Sequence, residues 1–295
     1  MKRNLPDFKT KSTQDHAQLG KEGAYRLLDA GRAWNLAPTL QAGGAIIFPH
    51  IEIKVGGHQI AAAVHACLDS GAHRVLVLGV LHALTQELED ARVRVAQGAD
   101  VTHESAWGIQ GPGVNRREDW QAEFSLLHFL FLWQMEIERR GIAGPELIVR
   151  YPYLAGGRPH ILPGITELQE IVRDAVVVAT ADPFHHGIGY GEPPESALAP
   201  DANGLGFAKK KIEEGLALLR AGDYWGYNQY CVSAKSDARD GGQVLRYLLG
   251  PLDGRILDLV ANDTATMYQK PAPTWVAGAL IELKPTQLAP HEGLH

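Results

Sequence analysis

RVLVLGVLH, residues 74–82, is a run of Val and Leu with no polar alternation until a histidine ends it. A strand with one wet face alternates apolar and polar residues, so an unbroken apolar run predicts a strand covered on both faces. Two other stretches have the same form. GGAIIFPH (43–50) is stopped by Pro49 and ends on His50, and AVVVATA (175–181) runs into Asp182, His185 and His186. Further strands are expected at ELIVRYPYL (146–154), ILDLVANDTATMY (256–268) and TWVAGALIEL (274–283). Helical patterns fall between and after them: 58–71 with Gly71 as its stop, 119–140 closed by Gly141, 165–174, 207–221, 223–231 and 240–249.

Strands that alternate with helices along the whole length predict one α/β domain. It is a layered sandwich with a central, largely parallel or mixed sheet covered by helices. Residues 1–42 read as an N-terminal extension packed on that domain, with an amphipathic helix at 23–36, and residues 43–285 as the domain itself. Residues 286–295 read as a loose tail. The Gly- and Pro-rich stretch 186–206 is too long for a simple connection, and such loops usually serve as lids or are disordered.

Composition narrows the function. The 295 residues carry 28 basic and 34 acidic side chains, a net charge of −6, with no basic stripe. Nucleic acid is therefore not expected as a partner, because phosphate neutralisation needs clustered Lys and Arg. Two cysteines, Cys67 and Cys231, make no disulfide framework. FLFLW (129–133) falls far short of the roughly 18 apolar residues of a membrane span. The start lacks the apolar core of a signal peptide, so a cytoplasmic location is the expectation.

The polar residues at the strand ends carry the chemistry. In open α/β sheets, sites form beyond the carboxyl ends of the strands, where side chains far apart in sequence converge. His50 and His82 can supply neutral nitrogen ligands, and with a carboxylate from further along they would hold one divalent metal with positions left open. A single histidine at a strand end more often bonds to loop backbone. Three strands with that ending favour a site, although two such histidines could also serve a phosphate or carboxylate substrate with no metal.

With these residues in view, the chain resembles the Memo family and its relatives, the class III extradiol ring-cleavage dioxygenases (LigB-like). The family's first motif, a strand ending in Pro-His before a small-residue turn, is similar to FPHIEIKVGG (48–57). Its Gly-Pro-Ser-His looks like Gly79-Val80-Leu81-His82, and Ser-Asp-Phe-Cys-His looks like Ala181 to His185. Its Glu-His-Ser corresponds to Glu123-Phe124-Ser125. The position that is Cys in Memo proteins and a glutamate ligand in the dioxygenases best matches Asp240, ahead of GGQVLRYLLG, with Asp237 as substitute. Cys231 is an outside candidate for the family's cysteine.

The resemblance implies His50, His82 and Asp240 as metal ligands, His185 as acid/base and Asp182 as the residue that orients it. Helix capping is the competing role for Asp240. Fe(II) is the implied cofactor, with Zn or Cu as alternatives, and a small-molecule substrate and dioxygen are the implied partners, with a homodimer as the default assembly. Phe124 stands where the ring-cleaving enzymes have a pocket histidine, and it cannot donate a hydrogen bond. His128, one helical turn later, is the candidate replacement. That departure leaves three readings open: an Fe(II) oxidoreductase, a non-enzymatic Memo-like protein that binds metal or peptide, and a zinc hydrolase. His103-Glu104 and KKKIEE (209–214) read as solvated charges. Arg116 and Arg117 could bind an anion, but they read more simply as exposed charges ahead of a helix.

Overall fold

Alternate residues of each central strand enter two different cores, as coverage on both faces requires. Ile46, Phe48, Val75, Val77 and Val178 join the core on one face, while Ala45, Ile47, Leu76, Leu78, Val177 and Ala179 join the other. The computed structural model describes residues 6–114 and 117–286. In chain order the elements begin with helices α1 (Phe8–Gly31) and α2 (Ala37–Gln41), then β1 (Ala45–Phe48), α3 (Ile53–Asp69), β2 (Arg74–Leu78), α4 (Gln86–Ala96) and β3 (Gly108–Gln110). They continue with α5 (Leu127–Arg140), β4 (Glu146–Tyr153), α6 (Ile165–Ile171), β5 (Ala175–Thr180), β6 (Phe184–Gly187) and α7 (Ala202–Ala221). The last are α8 (Tyr224–Ser233), α9 (Arg239–Leu249), β7 (Leu252–Asp263), α10 (Ala265–Tyr268) and β8 (Thr274–Pro285).

The sheet order is β3-β4-β2-β5-β1-β8-β6, with β7 paired to β8. The centre, β4-β2-β5-β1, is parallel, and every pairing outside it is antiparallel, so the sheet is mixed. α1, α3 and α5 cover one face, and α6 to α9 cover the other. The fold is the expected α/β sandwich. Register positions the site: Leu78 pairs with Ala179 and Phe48 with Thr180, so β1, β2 and β5 finish in one row. Fully burying a side chain such as Phe48 contributes about 1.5–3 kcal/mol, which fixes that row firmly.

Several expected boundaries move, each for a local reason. The N-terminal helix starts at Phe8, capped by the Asp7 side chain on Thr10 N, and it kinks at Gly20 (φ 61°, ψ −178°). α5 starts at Leu127 instead of 119, because Glu123 turns its carboxylate onto the Phe124 and Ser125 amides at 2.7 and 3.0 Å. Such local bonds compete with helix formation. The strand expected at 175–181 is β5, and beyond Asp182-Pro183 the chain forms a separate short strand, β6, paired with β8. Residues 265–268 are a helical turn, not the end of a strand. The stretch 186–206 is pinned in place: His186 Nε2 accepts from Leu198 N at 2.9 Å, and Trp275 Nε1 donates to Leu198 O at 2.8 Å.

Arg117 pairs with Glu87 and Asp119, which leaves it little capacity for an external anion. Arg116 and most of the tail lie outside the described residues. Among those described, no helix is long and apolar enough to cross a membrane.

Gly79 ends β2 with almost no clearance: a Cβ there would lie 2.2 Å from the Tyr151 ring. Gly79→Ala is expected to lower unfolding free energy by roughly 1–3 kcal/mol through overpacking, read from urea unfolding. An unchanged midpoint would contradict this packing.

Candidate metal centre

The row of strand ends places His50, His82 and Asp182 around one point, and the loop between α8 and α9 brings Asp237 to it. Asp237 N donates to Asp182 O at 3.1 Å, which ties that loop to the end of β5. Asp237 Oδ2 then faces three imidazoles, with His50 Nε2 at 3.3 Å, His185 Nε2 at 3.6 Å and His82 Nε2 at 3.8 Å. These side chains are largely buried, yet Asp237 Oδ2 has no hydrogen-bond partner among the described residues.

The surrounding bonds settle which ring nitrogens face inward. Thr180 Oγ1 donates to Phe48 O at 3.1 Å, so at 3.3 Å it can only accept from His50 Nδ1. Glu123 Oε1 accepts from His82 Nδ1 at 2.8 Å, and its Oε2 takes the His82 amide at 2.6 Å. Both histidines therefore hold a proton on Nδ1 and aim Nε2 at Asp237. A carboxylate behind a metal-binding imidazole is a common support, since it fixes the tautomer and raises ligand basicity.

The donor set fits a divalent ion. Ligand atoms about 2.0–2.2 Å from one metal lie roughly 3–3.5 Å from each other. The spacings to Asp237 are close to that, too long for good hydrogen bonds and short enough to close on an ion. His50, His82 and Asp237 form one candidate ligand group; Asp182, His185 and Asp237 form an overlapping one. Two imidazoles and one carboxylate with open positions suit Fe(II), and the same atoms accept Zn.

Electrostatics keep this cluster charged without a metal. Burial opposes a charge on His82, but Glu123 and Asp237 outweigh it and push its pKa up to about 10. Burial likewise opposes a charge on His50, and Asp182 with Asp237 raises it nonetheless. Burial would lift Asp237, but His185, His50 and His82 hold it well below the usual carboxylate range. Burial lifts Asp182, a rise that His50 opposes and Asp237 reinforces. Burial lowers His185, against the opposing pull of Asp237 and Asp182.

The sequence-predicted residues divide clearly. His50, His82, Asp182 and His185 come together. Asp240 does not join them: it lies within the first turn of α9, and its Oδ1 accepts from Ala155 N at 2.8 Å. It does not cap the helix either, since the cap residue is Ala238, with no side-chain cap bond. The carboxylate that meets the histidines is Asp237, which precedes the helix and turns toward the strand ends. Cys231 is buried, with its thiol pushed up to about 12 by that burial, and is no thiolate ligand. His186 is engaged in holding the 186–206 loop. His128 lines the same cavity, with its Nδ1 2.8 Å from His16 Nε2 of α1, and burial pushes it down to about 3.

Phe124 faces the site. Its ring stacks on His82 (centroids 4.3 Å apart) and on Phe8 of α1 (4.1 Å), giving a three-ring stack that walls one side. Phe8, Glu123's role and the pocket tyrosines Tyr190 and Tyr268 escaped sequence reading. Tyr190 packs edge-on against His185 at 4.9 Å and Tyr268 packs against Tyr190 at 6.2 Å. The cavity around the cluster holds about 640 Å³, room for a small aromatic molecule. No family model matches the chain, and no curated protein matches it.

Wild type and Asp240→Asn are expected to bind one Fe(II) or Zn(II) per chain by elemental analysis, whereas Asp237→Asn and His82→Ala lose it. Glu123→Gln weakens affinity by roughly 10–100-fold. Retention of the metal by Asp237→Asn would contradict the ligand assignment.

The same cluster sets a pH dependence. His82 holds its proton more tightly folded than unfolded, so the stability it contributes is full below 6.5 and is lost as pH rises toward about 10. Metal needs the neutral ring, so affinity moves the other way and rises over that interval. The melting temperature of the metal-free protein should fall with rising pH there, and Glu123→Gln should flatten the fall. A flat wild-type profile would count against a charged His82.

Proposed function

We propose that this chain is a non-haem Fe(II)-dependent oxidoreductase, LigB-like in its site, acting on a small aromatic or related metal-chelating substrate. One observation carries the reading: a buried carboxylate oxygen with no hydrogen-bond partner among the described residues, faced by three imidazole nitrogens. Two of those histidines and the carboxylate make a ligand set with open positions, and the third histidine stands beside it as a proton carrier. Bound Fe(II) would supply activation of dioxygen and of the substrate's chelating oxygen atoms.

The chain's own residues do the rest. His50, His82 and Asp237 hold the ion, and Glu123 fixes the His82 tautomer. His185 Nδ1 has no hydrogen-bond partner among the described residues, and the ring in its neutral form would take a proton from a substrate hydroxyl at its unprotonated nitrogen. Asp182 anchors the His50 amide at 3.0 Å and sits beside the same histidines. The Phe8–Phe124–His82 stack excludes water from one side and offers an aromatic face to a flat substrate. Phe124 supplies no hydrogen bond to an oxygen species, so the chemistry relies on His185, with His128 further along the wall.

The iron-loaded protein is expected to consume oxygen with at least one member of a catechol, aminophenol and phenol panel, followed with an oxygen electrode. His185→Gln should lower kcat by roughly 10²–10⁴-fold while metal stoichiometry holds. Absence of uptake across the panel would favour the non-enzymatic metal-binding reading. Oxygen-independent ester hydrolysis by the zinc form would favour the hydrolase.

A further inference from the structure

The cavity lining has polar side chains that the metal chemistry does not use. Arg239 sits two residues after Asp237, in the first turn of α9, with only 5% of its surface exposed. Its Nε and Nη2 have no hydrogen-bond partner among the described residues. A buried guanidinium is ordinarily paired, because taking an uncompensated charge out of water is costly. Arg92 of α4 stands close enough for the two like charges to oppose each other. Both arginines line the same cavity as His50, His82 and Asp237.

Nearby acids do not resolve this. Asp240 uses Oδ1 on the Ala155 amide, and Asp237 Oδ2 is turned toward the histidines. Ala96 and Val93 of α4 and Val232 of α8 add apolar surface to the lining beside Glu89 and Lys235, against which a ligand's apolar body can pack. The two-residue step from Asp237 to Arg239 spans at most about 7 Å of backbone, comparable to a substituted aromatic ring. Guanidinium presents a planar fork that matches an oxoanion in two-point fashion.

We propose that Arg239 and Arg92 form a carboxylate subsite in this cavity, which takes an acid group carried by the substrate on the side away from the histidines. The substrate part of this statement rests on the proposed oxidoreductase function; the anion subsite does not. Charge balance selects a monoanion. Asp240, Asp237 and Glu89 already lie in the field of Arg92, so a dianionic phosphate would meet more repulsion there than a single carboxylate.

The test is titration calorimetry on the metal-free full chain with phenylacetate, phenylacetamide and benzylphosphonate. Phenylacetate should bind wild type at least tenfold tighter than the neutral amide. That preference should vanish in Arg239→Gln and shrink in Arg92→Gln and Arg239→Lys, whereas binding by the charged His50 and His82 would leave it intact in all three. Unliganded Arg239→Gln should melt at or above the wild-type temperature, since an unpaired buried charge is gone. A structural arginine would instead lower it, and that result, or failure of the variant to fold, overturns the proposal. Equal binding of acid and amide to wild type, no binding of either, or a preference that survives in Arg239→Gln also overturns it. Tighter binding of the phosphonate overturns the carboxylate assignment. Acid preference without oxygen uptake would leave the subsite standing and remove the iron reading; uptake without acid preference would do the reverse.

Discussion

The buried Asp237 carboxylate, faced by His50, His82 and His185, is the interaction on which the rest of the site depends. Without a cation between them, one acid must answer several imidazoles at distances too long for good hydrogen bonds. The protein manages this by charging His50 and His82, with Glu123 behind His82 and Asp182 beside Nε2 of His50. That arrangement is costly to hold in a low-dielectric interior, and the cost is offset when a divalent ion replaces the protons. The sheet register that ends β1, β2 and β5 in one row makes the convergence possible.

Much of this is legible in the sequence, and the limits have physical causes. Unbroken apolar runs ending on histidine locate β1 and β2 and the two ligands beyond them, because burial on both faces leaves a plain pattern. The choice between Asp237 and Asp240 is not legible. Three residues separate them, and the start of α9 between them sends one carboxylate to the strand ends and the other to the Ala155 amide. Likewise, the strand at 175–181 is legible, but no local pattern shows that the chain after Asp182-Pro183 puts His185 on a separate strand paired with β8. Phe8 and Arg239 leave no local signal, since each reaches the cavity only through packing across the whole domain.

Phe124 changes the character of the pocket. A histidine there would add a hydrogen-bond donor beside the ligands; phenylalanine instead locks into a stack with His82 and Phe8. The N-terminal helix thereby becomes part of the wall, and His16 extends the contact by meeting His128 and stacking on Phe131 at 4.1 Å. Residues 1–42, which read as a peripheral extension, contribute directly to the shape of the site. Aromatic rings and two arginines both belong to the lining of this cavity.

X-ray absorption at the iron edge of the anaerobically loaded protein tests the central claim most directly. Two imidazole nitrogens with a carboxylate oxygen at about 2.0–2.2 Å are the expected shell, with one imidazole lost in His50→Ala. A shell of oxygen scatterers alone, unchanged by that substitution, would contradict a metal centre built on His50, His82 and Asp237.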